Sequence, residues 1–250
     1  MNVPHADWIV PDWPAPARVR ALTTTRTGGV SAGPYAFFNL GLRAGEDVQR
    51  VKHNRALLAA CLPTAPVWIR QVHGAAVVDV TEVHNASGEP QADAAVARVA
   101  GRVCAVLSAD CLPVLLCDRD GSTVAVAHAG WRGLAAGVIE ATVAKMSLPA
   151  DRLMAWLGPA ISQAAYEIGP ELREAFVSQR AEDAAAFRAG KPGKFHADLY
   201  VLARHRLLSA GVQAVYGGGF CTYAESQRFY SYRRDGAASG RMASLIWLDS

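Results

Sequence analysis

The feature that most restricts the fold of this chain is a pair of apolar segments joined by a short polar turn. Leu112–Cys117 and Thr123–Ala127 are rich in Val, Leu and Ala, and the residues between them include Asp and Gly. Two such segments separated by a few turn residues predict a β-hairpin. If Asp118–Gly121 is the loop, Cys111 faces His128. Residues that face each other across a hairpin lie on one side of the sheet, with Cβ atoms about 4.5–5.5 Å apart.

This pairing predicts a metal site, because a thiolate and an imidazole at that separation can bind one ion. The prediction depends on register, since a slip of one residue would turn the two side chains to opposite faces. His73 is the candidate third ligand, because it follows the apolar segment Val67–Ile69 and precedes Gly74, which indicates a bend. Two His and one Cys suit Zn²⁺ and leave a fourth position open, as in catalytic sites. The alternative is that these residues are structural, because Cys is often simply buried.

Apolar periodicity predicts further strands and helices along the chain. The other strands are Val103–Leu107, Arg152–Leu157, Ala214–Tyr216, Phe229–Arg233 and Met242–Leu248. The helices are 46–61, Gly133–Met146, Pro170–Val177 and Leu199–Leu208. Strands alternate with helices but a hairpin is mixed in, so we expect an α/β (α+β) fold with mixed sheets covered by helices. No low-complexity linker divides the chain, which predicts a single domain over residues 1–250.

Composition excludes several classes of function. The net charge is +3, and no basic stripe with interspersed aromatic residues suggests a nucleic-acid partner. No apolar run reaches the roughly 18 residues of a membrane span, and Met1–Trp13 lacks the pattern of a signal peptide. The chain has five Cys and no CxxC pair, which is typical of a reduced, cytoplasmic protein. We expect a monomer, because no additional apolar face is evident.

Several sequence blocks resemble one known family over about residues 20–250. The blocks are Thr25–Ser31, Asn39–Gly41, Gln71–Gly74, Ala109–Val114, Ala127–Gly133, Leu157–Ile161 and Phe229–Gly236. They are similar to the bacterial laccase-domain family, long called polyphenol oxidases. Members were later described as purine nucleoside phosphorylases with adenosine deaminase activity, and some as peptidoglycan editing factors.

The resemblance implies a four-layer α/β/β/α fold and a zinc site formed by His73, Cys111 and His128. It also implies phosphorolysis of adenosine, inosine, guanosine or methylthioadenosine, together with deamination of adenosine. Catalysis would then involve the three metal ligands and a carboxylate that moves protons. Asp110, beside Cys111, and Asp93 are the candidates for this carboxylate. The alternative for Asp110 is a backbone cap at the end of a strand.

Phosphorolysis also requires a phosphate site, for which arginine side chains and free backbone N–H groups are suited. Arg132 lies in a Gly-Trp-Arg-Gly segment that leads into a predicted helix, whose N-terminus favours anions. Arg26, in a loop rich in Thr, Gly and Ser, is the favoured candidate. The other candidates for substrate or phosphate binding are Ser31, Asn39, Arg233 and Arg241.

Three rival functions remain at this point. A copper-dependent polyphenol oxidase needs many His, commonly in His-x-His pairs, whereas this chain has seven His and no such pair, although copper could load in vitro. A cysteine hydrolase would use Cys111 as nucleophile and His128 as base. A cytoplasmic enzyme that edits peptidoglycan precursors is the third possibility, although no peptidoglycan-binding repeat is present.

Overall fold

The computed structural model describes residues 5–83 and 88–250, in which strands and helices are interspersed and five strands between residues 77 and 129 follow one another without a helix between them. The strands are β1 (Val19–Thr23), β2 (Val77–Asp79), β3 (Ala94–Ala97), β4 (Cys104–Ser108), β5 (Leu112–Asp118), β6 (Val124–Ala129), β7 (Leu153–Leu157), β8 (Glu167–Ile168), β9 (Phe187–Ala189), β10 (Phe195–Ala197), β11 (Ala214–Gly217) and β12 (Met242–Leu248). The α-helices are α1 (Val48–Ala59), α2 (Trp131–Ala135), α3 (Val138–Met146), α4 (Pro170–Val177), α5 (Leu199–Ser209) and α6 (Tyr232–Asp235). None of the helices found in these residues has the length and apolar character that a membrane span requires.

The strands form one large mixed sheet and two small antiparallel sheets. The large sheet has the order β11-β7-β5-β6-β3-β2. Its inner neighbours are antiparallel, whereas β11–β7 and β2–β3 are parallel. The second sheet has the order β1-β12-β4, and the third has the order β8-β10-β9. The mixed sheets expected from the sequence are therefore confirmed.

Three apolar interfaces stack these elements into four layers. Successive residues of a strand point to opposite faces, so Leu116 packs against α2–α5 while Leu115 points to the second sheet. Ile246 of β12 meets Leu115 in this sheet–sheet interface. Its neighbour Leu245 points to the other face, where it packs with Leu58 of α1. The layers are helix, sheet, sheet and helix, as the family resemblance implied.

The predicted hairpin forms between β5 and β6, but its register is shifted by two residues. His128 pairs with Pro113, and not with Cys111 as the sequence suggested. Because side chains alternate with a period of two, a shift of two residues leaves every side chain on its predicted face. Cys111 and His128 therefore remain on one side of the sheet, as diagonal rather than opposite neighbours.

The cause of this shift is Asp118, which the prediction assigned to the loop but which ends β5. Its carboxylate accepts hydrogen bonds from the backbone N–H groups of Ser122 and Thr123, both at 2.7 Å. These bonds close a loop over residues 119–122, one position later than expected. When the loop moves by one position along the chain, each residue of β5 pairs with a residue of β6 that lies two positions further along.

Two further predicted elements are wrong in part. Phe229–Arg233 is not a strand, because the Ser231 side chain accepts a hydrogen bond from the backbone N–H of Arg234 and starts α6 instead. The helix predicted over Gly133–Met146 is divided into α2 and α3 at Gly137, which has a left-handed φ of 85°. The other predicted elements agree to within two residues at each end.

Candidate metal centre and active site

The three metal-binding side chains predicted from the sequence come together in the structure. Ligand atoms of His73, Cys111 and His128 lie within 4.8 Å of one another. Cys111 immediately precedes β5, His128 lies in β6, and His73 belongs to the loop before β2. His128 is buried, Cys111 is half-buried and His73 is exposed, so the cluster can be reached from solvent. Within residues 5–83 and 88–250 it is the one group of this kind.

A buried carboxylate holds the loop that carries His73. Asp93 is fully buried, and its Oδ2 accepts hydrogen bonds from the backbone N–H groups of Val72 at 3.1 Å and Gly74 at 2.7 Å. Its Oδ1 accepts from the N–H of His73 at 2.9 Å. His73 has a φ of 60°, in the left-handed region that residues other than glycine rarely adopt. Three consecutive N–H groups around one anion stabilise this conformation.

The same carboxylate orients His128. Nδ1 of His128 lies 3.0 Å from Oδ1 of Asp93, so Nδ1 donates to the carboxylate and Nε2 is left for the cluster. Metal-binding His commonly donates its second N–H to a carboxylate in this way. Burial acts to raise the pKa of Asp93, but hydrogen bonds from His128 and Gly74 hold the pKa below its ordinary value. Asp93 is therefore ionised, and its four hydrogen bonds all go to His128 and to the segment around His73.

The two imidazoles stabilise Cys111 as a thiolate. Burial acts to raise the pKa of this thiol, but the charge and hydrogen bond of His128, with a hydrogen bond from His73, lower it to about 6. Burial acts to lower the pKa of His128, whereas the neighbouring Cys111 and Asp93 raise it to about 9. The thiolate is the form that binds a metal, and His128 has to release its Nε2 proton when it does so.

Gly130 leaves the space that the cluster occupies. It lies opposite Cys111 in the hairpin, one step beyond the terminal pair of Leu112 and Ala129. A Cβ at this position would lie 2.8 Å from Sγ of Cys111 and 3.4 Å from Cδ2 of His73. Any larger residue would therefore displace the thiol from the two imidazoles.

The cluster forms part of the wall of a cavity with a volume of about 640 Å³. This volume lies in the range of small-molecule binding sites. Besides the three ligands, the wall contains Gly41, Leu42, Arg43, Ala44, Arg55, Ile69, Gln71, Glu89, Leu107, Ser108, Ala109, Asp110, Trp131, Arg132, Ile161, Tyr166, Tyr232, Arg233 and Arg241. Arginines and aromatic residues predominate near the metal ligands.

Five arginines give this cavity its positive charge, and three of them stack on aromatic rings of the same wall. The stacked pairs, with the distance from guanidinium carbon to ring centroid, are Arg132 on Trp131 at 4.5 Å, Arg233 on Tyr166 at 5.0 Å and Arg241 on Tyr232 at 5.9 Å. Stacking fixes the plane of a guanidinium and leaves its N–H edge able to bind an anion.

Arg132 differs from the other four arginines in the hydrogen bonding of its guanidinium group. Its side chain makes no hydrogen bond or ion pair with any residue of the described ranges, whereas the others donate to backbone carbonyls or to Glu89. Arg132 is also exposed. It is therefore the arginine of this cavity that is most available to an anionic ligand.

Arg26, the favoured phosphate ligand from the sequence, does not line the cavity. Its Nε donates to the carbonyl of Ala36 at 2.9 Å and its Nη1 to the carbonyl of Ser226 at 2.8 Å. Its guanidinium also stacks on Tyr230 at 4.9 Å. These contacts join the loop after β1 to the segment before α6, so the side chain is engaged in holding two loops together.

Ser31 and Asn39 are likewise buried outside the cavity wall. Oε2 of Glu46 accepts hydrogen bonds from Oγ of Ser31 at 2.7 Å and Nδ2 of Asn39 at 2.9 Å. Oδ1 of Asn39 accepts from the backbone N–H groups of Gly41 and Arg241, both at 2.9 Å. Asn39 thus supports two residues of the wall without facing the cavity itself.

Some residues of the wall were not singled out from the sequence. Trp131 and Tyr232 lie within the sequence blocks that resemble the family. Their aromatic character was the one signal that could have identified them as cavity residues. Arg43, Arg55 and Glu89 lie outside every block, and only the tertiary fold brings them to the cavity. No spacing pattern in the sequence could have identified these three.

Comparison with known proteins identifies a family and agrees with the fold. Residues 20–249 match the family model described as multi-copper polyphenol oxidoreductase laccase. The chain belongs to this laccase family. A purine nucleoside phosphorylase of Pseudomonas aeruginosa is 52% identical over 242 residues, covering 96% of this chain and 98% of that relative. The purine nucleoside phosphorylase YfiH of Escherichia coli is 50% identical over 246 residues, with coverage of 96% and 98%.

Solved structures of similar proteins extend the laccase-family fold over nearly the whole chain. A Neisseria meningitidis protein has a TM-score of 0.93 and 50% identity, covering 98% of this chain and all (100%) of that one. YlmD from Geobacillus stearothermophilus has a TM-score of 0.87 and 31% identity, with coverage of 94% and 93%. The family resemblance drawn from the sequence blocks is therefore confirmed.

Proposed function

We propose that the protein is a zinc-dependent purine nucleoside phosphorylase that cleaves adenosine, inosine, guanosine or methylthioadenosine with phosphate. The observation that carries this proposal is the His73–Cys111–His128 cluster in one cavity with five arginines. A phosphorolytic enzyme needs a nucleoside site next to an anion site, and this cavity offers surfaces for both. The names of the relatives from Pseudomonas aeruginosa and Escherichia coli support the same reaction.

The donor set of the cluster suits zinc. Two imidazoles and one thiolate are ordinary zinc ligands, and three protein ligands leave a position for substrate or water. The space left by Gly130 and the carboxylate of Asp93 behind His128 fit the same purpose. When bound, zinc would supply Lewis acidity. Copper would also bind in vitro, because Cu²⁺ exceeds Zn²⁺ in the general order of affinity.

The side chains of the wall would bind and orient the two substrates. Arg132 binds phosphate through its unoccupied N–H edge, and the positive charges of Arg233 and Arg241 strengthen this anion site. The rings of Trp131 and Tyr166 offer flat apolar surface to the purine. In the reaction, a phosphate oxygen forms a bond to C1′ of the ribose as the bond from C1′ to the purine nitrogen breaks. The purine nitrogen takes up a proton as it leaves, so the products are the free base and ribose 1-phosphate, or 5-methylthioribose 1-phosphate from methylthioadenosine.

We extend the proposal to adenosine deamination by the same site. Zinc deaminases combine a metal held by His and Cys with a carboxylate that moves protons. Glu89 is the carboxylate of the wall best suited to this role, since its contacts are ion pairs with Arg43 and Arg55 at 2.7 and 3.1 Å. Arg43 is exposed in its ion pair with Glu89, and exposed ion pairs are weak, so this contact can be exchanged for a substrate.

The test is product formation from the four nucleosides, with and without phosphate. Free base and ribose 1-phosphate are expected only with phosphate, whereas inosine should form from adenosine without it. Zinc-loaded, copper-loaded and metal-stripped protein are compared in air and under argon, and turnover is expected with zinc and without oxygen. Oxidation of phenols that needs copper and oxygen, without nucleoside turnover, would contradict the proposal.

The other rival functions make different predictions in the same assays. A cysteine hydrolase should gain activity when the metal is removed, because a ligating thiolate is not free to attack. A precursor-editing enzyme should act on muropeptide precursors and not on nucleosides. We also propose a cytoplasmic monomer: Cys104, Cys111, Cys117 and Cys221 form no disulfide bond within the described residues, which suits a reducing compartment. Size-exclusion chromatography with light scattering tests the monomer.

A further inference from the structure

Asp110 is held in an uncommon conformation next to the metal cluster. It precedes Cys111, is 8% exposed and has a φ of 93°, in the left-handed region where Asp and Asn are tolerated better than most residues. Its backbone carbonyl accepts a hydrogen bond from the N–H of Ile161 at 3.0 Å. The residue is therefore fixed on the cavity wall by its backbone as well as its side chain.

Both carboxylate oxygens of Asp110 accept hydrogen bonds from the segment 222–235, which we call the arm. Oδ1 accepts from the hydroxyl of Thr222 and Oδ2 from the backbone N–H of Arg233, each at 2.6 Å. The first N–H groups of a helix have no partner within the helix. At the start of α6, the carboxylate of Asp110 accepts a hydrogen bond from the N–H of Arg233, and the hydroxyl of Ser231 accepts one from the N–H of Arg234.

The arm carries two residues of the cavity wall, Tyr232 and Arg233. Its two ends are tied to each other, because Nη1 of Arg234 donates to the carbonyls of Thr222 and Tyr223, both at 2.9 Å. Asp110 binds both ends of this tied segment from the position adjacent to a metal ligand. The cluster and the arm are therefore linked through one carboxylate.

We propose that Asp110 is a positioning residue whose carboxylate docks the arm, so that Arg233 and Tyr232 stand against the metal cluster. A group that moves protons must bring an oxygen within hydrogen-bond reach of the substrate. Turning either oxygen of Asp110 to a substrate would break a bond of 2.6 Å and release one end of the arm. The kinetic part of this inference rests on the proposed phosphorolysis, whereas the docking itself does not.

Asp110→Asn separates the two roles. The amide oxygen of Asn can accept from the N–H of Arg233, and its NH₂ can donate to the Thr222 hydroxyl, which accepts as well as donates. Asn also tolerates the left-handed φ of this position. The variant therefore keeps the docking contacts and abolishes proton transfer. Thr222→Val does the converse, since it removes one docking contact with similar volume, and Thr222→Ser is its control.

The first measurement is hydrogen exchange of the α6 amides, which requires no turnover. Thr222→Val is expected to exchange about tenfold faster than wild type, as the loss of one hydrogen bond to a charged group would give. Thr222→Ser should exchange like wild type, and Asp110→Asn, whose neutral amide keeps both contacts in weaker form, should exchange no faster than Thr222→Val. The second measurement is phosphorolysis, where Thr222→Val should raise KM for phosphate about tenfold with a smaller change in kcat. Asp110→Asn should remain active, and zinc content should be unchanged in all three variants.

Two results would overturn the inference. If Asp110→Asn is inactive while its α6 amides exchange no faster than those of the active Thr222→Val, Asp110 moves protons. If Thr222→Val changes neither exchange nor KM, the arm is not docked by this contact. Absence of nucleoside turnover in the wild type would refute the proposed function instead, and the exchange measurement would still decide whether Asp110 docks the arm.

Discussion

Replacing Asp93 by Asn tests whether one buried carboxylate both stabilises the fold and orients the metal ligands. In the wild type it accepts four hydrogen bonds, from the N–H groups of Val72, His73 and Gly74 and from Nδ1 of His128. The side chain of Asn has one acceptor oxygen, and its NH₂ group would face the two N–H donors that bind the second carboxylate oxygen in the wild type. Two bonds are therefore lost, and at about 1.5–3 kcal/mol for each bond to a charged group, the cost is about 3–6 kcal/mol.

Two assays measure this effect. Urea unfolding of the metal-stripped protein should show the free energy of unfolding reduced by about 3–6 kcal/mol, a large share of the roughly 5–15 kcal/mol typical of a folded protein. Zinc titration of the folded variant should show an affinity about 10- to 100-fold lower, because the carboxylate no longer orients His128. Asp118→Asn is the matched control: Asp118 is also buried and also accepts backbone N–H groups, but at the opposite end of β5.

The comparison of the two variants decides the interpretation. Asp118→Asn should lose stability and keep wild-type zinc affinity. If Asp93→Asn binds zinc as tightly as wild type, the carboxylate does not orient the ligands and the reasoning is refuted. If both variants lose zinc affinity equally, the loss reflects general stability and not a specific link between Asp93 and His128.

Three further predictions concern the cluster and the anion site. Cys111→Ser should lose most of the bound zinc, measured by elemental analysis, and retention of zinc would remove Cys111 from the site. Arg132→Ala should raise KM for phosphate about tenfold or more, as loss of a charged contact would. Arg26→Ala should lower the melting temperature and leave this KM unchanged. If instead Arg26→Ala raises KM for phosphate and Arg132→Ala does not, Arg26 is the phosphate ligand. In metal-stripped protein, alkylation of Cys111 should rise through pH 6, the lowered pKa of its thiol, when followed by mass spectrometry; a midpoint near 9 would contradict the stabilised thiolate.

The proximity of Cys111 and His128 could be predicted because it depends on parity in the hairpin. The sequence placed Cys111 opposite His128, and the structure pairs His128 with Pro113. An error of two residues keeps each side chain on its face, so the two ligands still meet. The true register is set by local hydrogen bonds from Ser122 and Thr123 to the Asp118 side chain, which the sequence did not reveal because Asp is equally compatible with the loop.

The substrate-facing residues could not be predicted in the same way. The blocks containing Arg26, Ser31 and Asn39 indicated important positions, but a block does not tell whether a side chain faces a ligand or supports a neighbour. Asn39 shows the difference, since its Oδ1 binds the N–H of Arg241, which lines the cavity. Arg132 lies on the cavity wall, yet the property that distinguishes it, a guanidinium without a hydrogen-bond or ion-pair partner among the described residues, exists only in the folded chain.

The cluster alone does not determine the reaction, and the wall around it does. Strand pairing places Asp93, at the start of β3, beside His128 of β6, and the N–H of His128 donates to the carbonyl of Asp93 at 2.7 Å. The carboxylate of Asp93 also binds the backbone of the loop that carries His73, so the side chains of the cluster depend on the large sheet for their position. The side chains that would meet a substrate come from elsewhere, mainly from α2 and the arm. A three-ligand cluster could serve oxidation or hydrolysis, but arginines stacked on aromatic rings favour a substrate pair that combines a flat base with an anion.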